Sequence, residues 1–197
     1  MSNIGLRLKA IRESGRRKLF LIPYFFTFAN VLFGFLSGIS SLEDHYVIAS
    51  YCIIIAAFMD FIDGKLARAF KTTSYLGMEL DSLGDAISFC FAPTILLYSW
   101  YFNEFGLLGI LVLVLYLCAG LFRLARFNVA EGGNYSYFTG LPTTVSACIL
   151  ASLVICSHWF ILMPLRMVLQ PLGIILFVSV ISLLMVSRIP FPSFKNQ

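Results

Sequence analysis

Between Leu19 and Val186 the chain is a succession of apolar runs, each long enough to cross a bilayer and separated from the next by a short polar connection. A spanning helix needs about 20 mostly apolar residues. Six such runs are expected: Leu19–Ser41, Tyr46–Phe70, Tyr75–Phe102, Phe105–Phe122, Pro142–Phe160 and Met167–Val186. Only 12% of the residues are charged and 59% are apolar, whereas a soluble domain carries about 25% charged residues. So few charges cannot clothe a water-facing surface. Lipid must therefore solvate much of the exterior, and every backbone polar group there must be satisfied within its own helix. The expected fold class is an all-α integral membrane protein with six transmembrane helices.

Charge placement gives the orientation. An N-terminus on the inner side puts Glu43, Asp44, His45, Glu104, His158 and Arg166 in outer connections. The other 13 of the 14 Lys and Arg fall on the inner side. The positive-inside rule therefore predicts N-in, C-in topology in the cytoplasmic membrane. The basic segment before the first run carries Arg7, Lys9, Arg12, Arg16, Arg17 and Lys18, with Ile4, Leu8 and Ile11 on one helical face. That pattern predicts an interfacial amphipathic helix on an anionic leaflet rather than a cleaved signal peptide. Three parts are expected: 1–18 at the interface, 19–187 as the transmembrane catalytic domain, and 188–197 as a cytoplasmic tail. The cysteines, at 52, 90, 118, 148 and 156, make no CxxC pair and lie in apolar runs. They read as small buried hydrophobes.

Four aspartates sit where a carboxylate is costly. Asp60 and Asp63 fall at the inner end of the second run, and Asp81 and Asp85 early in the third. An acidic group at mid-membrane costs roughly 2.5–3.5 kcal/mol on insertion scales, so four together call for compensation by cations, protons or metal. At about 100° per residue, Asp60, Asp63, Gly64 and Ala67 share a helical face, as do Gly77, Asp81 and Asp85. The short connection makes the two helices antiparallel neighbours, so both carboxylate pairs can face each other near the inner surface. Carboxylates without His or Cys favour a hard cation such as Mg²⁺ or Mn²⁺. Small residues on the same faces leave room for a bulky group, and Arg68 adds a cation suited to phosphate.

Asp60-x2-Asp63-Gly64-x2-Ala67-Arg68-x8-Gly77-x3-Asp81-x3-Asp85 resembles the signature of the CDP-alcohol phosphatidyltransferases at all eight positions. The resemblance implies a six-helix fold, a homodimer and a binuclear metal site. It assigns Asp60, Asp63 and Asp81 to metal and to the CDP diphosphate. Asp85 would be a further metal ligand and the base acting on the incoming alcohol. Gly64, Ala67, Arg68 and Gly77 would line the pocket for the CDP-lipid, and Asn30 in the first run would contribute to it.

Looser stretches narrow the subfamily. Phe122-Arg123-Leu124-Ala125-Arg126-Phe127-Asn128, Phe138-Thr139-Gly140-Leu141-Pro142 and the ending Pro192-Ser193-Phe194-Lys195 are similar to phosphatidylserine synthases. The implied donor is CDP-diacylglycerol and the implied acceptor L-serine. Arg123, Arg126 and Asn128 would take the serine, with an arginine holding its carboxylate bidentately. The same arginines equally suit positive-inside anchoring. Membrane lipids are expected partners and nucleic acid is not. The alternatives are another acceptor (glycerol phosphate, inositol or inositol phosphate), CDP-archaeol as donor, or an ion transporter or channel. Against transport, there is no inverted repeat and the carboxylates cluster towards one side.

Overall fold

A computed structural model describes residues 24–69, 75–131, 140–159 and 171–187. The expected interfacial helix at 1–18 and tail at 188–197 lie outside the described residues.

The described residues form six helices. These are α1 Tyr24–Leu42, α2 Tyr46–Ala69, α3 Tyr75–Trp100, α4 Gly106–Glu131, α5 Thr143–Trp159 and α6 Pro171–Val186. The first four contain apolar stretches long enough to cross a membrane, whereas α5 and α6 are shorter apolar helices.

The distribution of side chains is that of a chain solvated by lipid. Large apolar residues point outward: Phe28 is 62%, Leu107 72% and Leu172 79% exposed. The interior between helices holds small and polar groups such as Ala49, Ser50, Ser88, Ser146 and Ser182 among larger apolar ones such as Phe89, Leu96 and Tyr116. Hydrocarbon gives helices no hydrophobic reason to associate, so small residues that let backbones approach are favoured inside. Several of these hydroxyls bond back to their own helix: Ser50 donates to the Tyr46 carbonyl and Ser182 to that of Val178, both at 2.8 Å. Such bonds satisfy the polar group without a partner helix. The cysteines divide differently from the expectation. Cys90 is buried and Cys52 and Cys148 are half-buried, but Cys118 and Cys156 are exposed. A thiol is apolar enough to stand on a lipid-facing surface.

Two boundaries also differ from the sequence reading. The fourth helix does not stop at Phe122 but continues to Glu131. Residues 123–131 contain no glycine or proline, and the first breaker is the Gly132-Gly133 pair. Arg123, Arg126 and Asn128 are therefore helical residues in its last turns. The third helix ends at Trp100 rather than Phe102, and a short 3-10 turn, Phe102–Phe105, leads to Gly106 at φ +54°. A third feature was not foreseen: α3 passes through a π turn at Ala86–Phe91, directly after Asp85.

Glycines set the tightest crossings. A Cβ at Gly34 of α1 would lie 2.3 Å from Ser88 Oγ, and one at Gly120 of α4 would lie 2.5 Å from Cys90 Sγ. Both α1 and α4 thus close directly on the π turn. Gly140, at φ +91°, has the Met185 carbonyl 2.5 Å from where its Cβ would be. The next residue, Leu141, donates its N–H to the Leu184 carbonyl at 3.1 Å. This turn fixes the start of α5 against the end of α6.

Candidate active site

One end of the bundle gathers the polar side chains. It is formed by the beginnings of α1, α3 and α5 and the ends of α2 and α4. Asp60 and Asp63 lie one turn apart near the end of α2, and Asp81 lies in the second turn of α3. Each offers a carboxylate oxygen, and the three oxygens lie within 4.8 Å of one another. Asp63 is buried, at 4% exposure, and the other two are half-buried.

Hydroxyls support two of these acids. Thr27 of α1 donates to Asp63 Oδ2 at 2.9 Å, and Thr144 of α5 donates to Asp60 Oδ2 at 3.4 Å. A hydroxyl orients a carboxylate but does not neutralise it. Three carboxylates this close repel strongly when ionised in a poorly screened setting. An oxygen-only donor set at this spacing fits a hard divalent cation, and the chain places no His or Cys among the three. The fit to the expected metal therefore rests on geometry as well as on residue type.

Asp85 lies one turn beyond Asp81 and is not one of this close group. Its Oδ1 accepts a hydrogen bond from Asn30 Nδ2 at 3.3 Å. Asn30 itself is fully buried, and its own Oδ1 has no hydrogen-bond partner among the described residues.

The expected pocket residues fall around the same end. A Cβ built on Gly64 meets nothing within 4 Å, so open space adjoins this position beside Asp63. Gly77 is half-buried in the first turn of α3. Ala67 and Arg68 continue α2, but their side chains lie outside the described residues.

The expected serine-binding residues converge only in part. Asn128 Oδ1 accepts from Ser82 Oγ at 2.8 Å, which ties the end of α4 to α3 between Asp81 and Asp85. Arg123 reaches α5, where its Nη1 meets Thr143 Oγ1 at 3.5 Å, the outer limit of a hydrogen bond. Arg123 Nε is buried with no hydrogen-bond partner among the described residues. An unpaired guanidinium donor under cover is the complement of an anionic oxygen. Arg126 lies one turn further along α4 and is half-buried.

Sequence reasoning missed Thr143, Thr144, Ser82 and Ser88 as contributors. For Thr143 and Thr144 a signal existed: they follow Gly140-Leu141-Pro142, a turn that opens a helix at the inner end. For the serines there was none, because in membrane helices most hydroxyls bond only to their own backbone.

Comparison with known proteins adds a second line of observation. Residues 20–186 match the family described as CDP-alcohol phosphatidyltransferase. The chain is 32% identical over 179 residues to a Helicobacter pylori protein named CDP-diacylglycerol–serine O-phosphatidyltransferase, covering 90% of this chain and 74% of the relative. It is 34% identical over 176 residues to a Bacillus subtilis protein of the same name, covering 89% and 92%. It is 32% identical over 173 residues to a Methanothermobacter thermautotrophicus protein named archaetidylserine synthase, covering 87% and 69%.

Proposed function

This chain belongs to the CDP-alcohol phosphatidyltransferase family, and on that premise we propose that it transfers a phosphatidyl group from CDP-diacylglycerol to L-serine, giving phosphatidylserine and CMP. The observation that carries the chemistry is the trio of carboxylates from Asp60, Asp63 and Asp81 in one polar end of a lipid-solvated bundle. The choice of serine rests on relatives of that name that align with about nine-tenths of the chain.

The reaction is a displacement at the β-phosphorus, which carries the diacylglycerol. The serine oxygen forms a P–O bond, and the P–O bond to CMP breaks with its electron pair leaving on CMP. Asp85 accepts the serine hydroxyl proton. That hydroxyl is a weak acid, so the base and the phosphorus must be close and aligned. Arg123 and Arg126 hold the serine carboxylate, and the buried Arg123 Nε supplies a donor that no described residue uses. Asn128 keeps α4 registered on α3 through Ser82. Gly64, Ala67, Arg68 and Gly77 bound the space for the CDP-lipid. Mg²⁺ or Mn²⁺ held by Asp60, Asp63 and Asp81, with Asp85 completing a binuclear set, would neutralise charge on the diphosphate.

The full chain in this reading spans the membrane six times with both ends inside, and 1–18 lies along the inner interface. The site then opens to the cytoplasm, where serine and CMP are soluble. A homodimer is the expected assembly. A second donor has a specific observation behind it: the relative named archaetidylserine synthase favours testing CDP-archaeol beside CDP-diacylglycerol.

The test is CMP release by the purified protein in detergent with Mn²⁺ or Mg²⁺. Serine, glycerol phosphate, inositol and inositol phosphate are compared with each donor. CMP with serine alone, abolished by chelator, is the expected result. CMP with a different alcohol keeps the family and overturns the serine assignment.

A further inference from the structure

Asp85 is the last α-helical residue before α3 changes its hydrogen-bonding pattern. The next six residues, Ala86–Phe91, form a π turn. Such a turn inserts a residue into the repeat and shifts the helical phase by about 100° across it. The directions of Asp81 and Asp85, relative to the buried Leu96 and Leu97 further along α3, are therefore set by this turn. A π turn is costly by itself and persists where its surroundings hold it.

Here it is held from two sides. On one side α1 crosses at Gly34 against Ser88. Ser88 Oγ donates to the Asn30 backbone carbonyl at 2.9 Å. The side chain of the same asparagine donates to Asp85. On the other side α4 crosses at Gly120 against Cys90. One turn earlier on α4, the fully buried Tyr116 donates its hydroxyl to the Phe89 carbonyl within the turn at 2.9 Å.

We propose that this clamp aims the Asp85 carboxylate, with Asn30 and Tyr116 as its positioning residues: Asn30 by direct contact, Tyr116 by fixing the turn that follows the acid. The proposal rests on the reading of Asp85 as the base, and it gives Asn30 a task other than lining the CDP-lipid pocket. A base displaced by a fraction of an ångström still binds both substrates but takes the proton less often. The signature is therefore in kcat and not in substrate affinity.

The test uses the purified full chain and five variants: Asn30→Leu, Tyr116→Phe, Asp85→Ala, and Asp85→Ala combined with each of the first two. Leucine keeps the branched four-atom skeleton of asparagine without the donor, and phenylalanine removes one hydroxyl. In Asn30→Leu, kcat falls about 10- to 100-fold, a loss typical of misplacement. In Tyr116→Phe it falls less, on the order of 3- to 10-fold, because the effect is indirect. Both keep the KM for CDP-diacylglycerol within about threefold. In the Asp85→Ala background, either change alters the residual rate by less than about twofold, because residues acting through one group are not additive. A raised KM for CDP-diacylglycerol with unchanged kcat puts Asn30 on the nucleotide and overturns the clamp. Losses that persist in full in the Asp85→Ala background also overturn it while leaving the base assignment standing. Near-normal turnover in Asp85→Ala alone removes the base reading itself, and the clamp with it.

Discussion

The two ends of the bundle use polar groups in opposite ways. At the acidic end, side chains reach from one helix to another: Thr27 to Asp63, Asn30 to Asp85, Thr144 to Asp60 and Ser82 to Asn128. At the other end the hydroxyls mostly turn back on their own helices, as Ser41 does to the Ser37 carbonyl and Ser157 to that of Val154. There the connection between α3 and α4 is a cluster of aromatic rings. Tyr101 and Phe102 stack edge-on against Phe105, and Phe102 is fully buried. A cross-helix hydrogen bond at that end runs from the Tyr46 hydroxyl to the Ser99 carbonyl. The acidic end brings like charges together, a repulsion that a bound cation would offset. We expect stability to rest more on the aromatic end and function on the acidic end, and that division can be tested.

The largest expected effect is at Asp81. Asp81→Asn keeps the shape and removes one charge of the trio. Turnover should fall on the order of 10³-fold or more, since charge stabilisation at the diphosphate is lost. The metal-free variant should nevertheless melt a few degrees higher than the metal-free wild type, because like-charge repulsion is relieved. A lower melting temperature in the metal-free state, read by differential scanning fluorimetry in detergent, would show that the acidic end is not under strain.

Metal should act on the two ends unequally. At 100 times its dissociation constant, Mn²⁺ adds about 2.7 kcal/mol to the stability of a chain that binds it only when folded. The wild type should gain that amount and lose it to chelator, and Asp81→Asn should gain little. An equal metal response in both would move the cation site away from the trio.

At the aromatic end the expectation reverses. Phe102 is fully buried in the core, so Phe102→Ala leaves a void where the ring was. In lipid the transfer part of the cost largely disappears and the cavity part remains, about 2 kcal/mol for a ring-sized hole. Stability should drop by that amount, while kcat for the folded fraction is unchanged. A parallel loss of kcat would mean that the two ends are coupled.

The sequence made the acidic end legible because its signals are local. Asp60 and Asp63 are three apart, Asp81 and Asp85 four apart, and helical geometry brings such spacings onto one face. The apolar runs made α2 and α3 legible to within a few residues. What stayed hidden depends on tertiary contact. The π turn at Ala86–Phe91 has no compositional mark, since Ala-Ile-Ser-Phe-Cys-Phe reads as ordinary helix. Its anchors, Gly34, Tyr116 and Gly120, are distant in sequence. The fourth apolar run ends at Phe122, but residues 123–131 hold no glycine or proline to stop the helix. The helix therefore continues past Phe122 to Glu131. The bond from the Asn30 amide to Asp85, between residues 55 apart, is likewise visible only in the fold.

The smallest of these effects concerns Arg123, and it distinguishes an anchor from a ligand. Positive-inside anchoring needs a charge but no particular shape, so Arg123→Lys should be silent if anchoring is its task. A carboxylate clamp needs the planar fork, which lysine lacks. The buried Nε, which meets no described hydrogen-bond partner, is the atom that lysine cannot replace. Thr143, at 3.5 Å from Nη1, holds the guanidinium too weakly to fix it by itself. The KM for serine should therefore rise about tenfold in Arg123→Lys, equivalent to about 1.4 kcal/mol of lost binding. The KM for CDP-diacylglycerol and the melting temperature should not move. A rise in the KM for the CDP-lipid instead would place the guanidinium on a phosphate oxygen, and the serine carboxylate would then fall to Arg126.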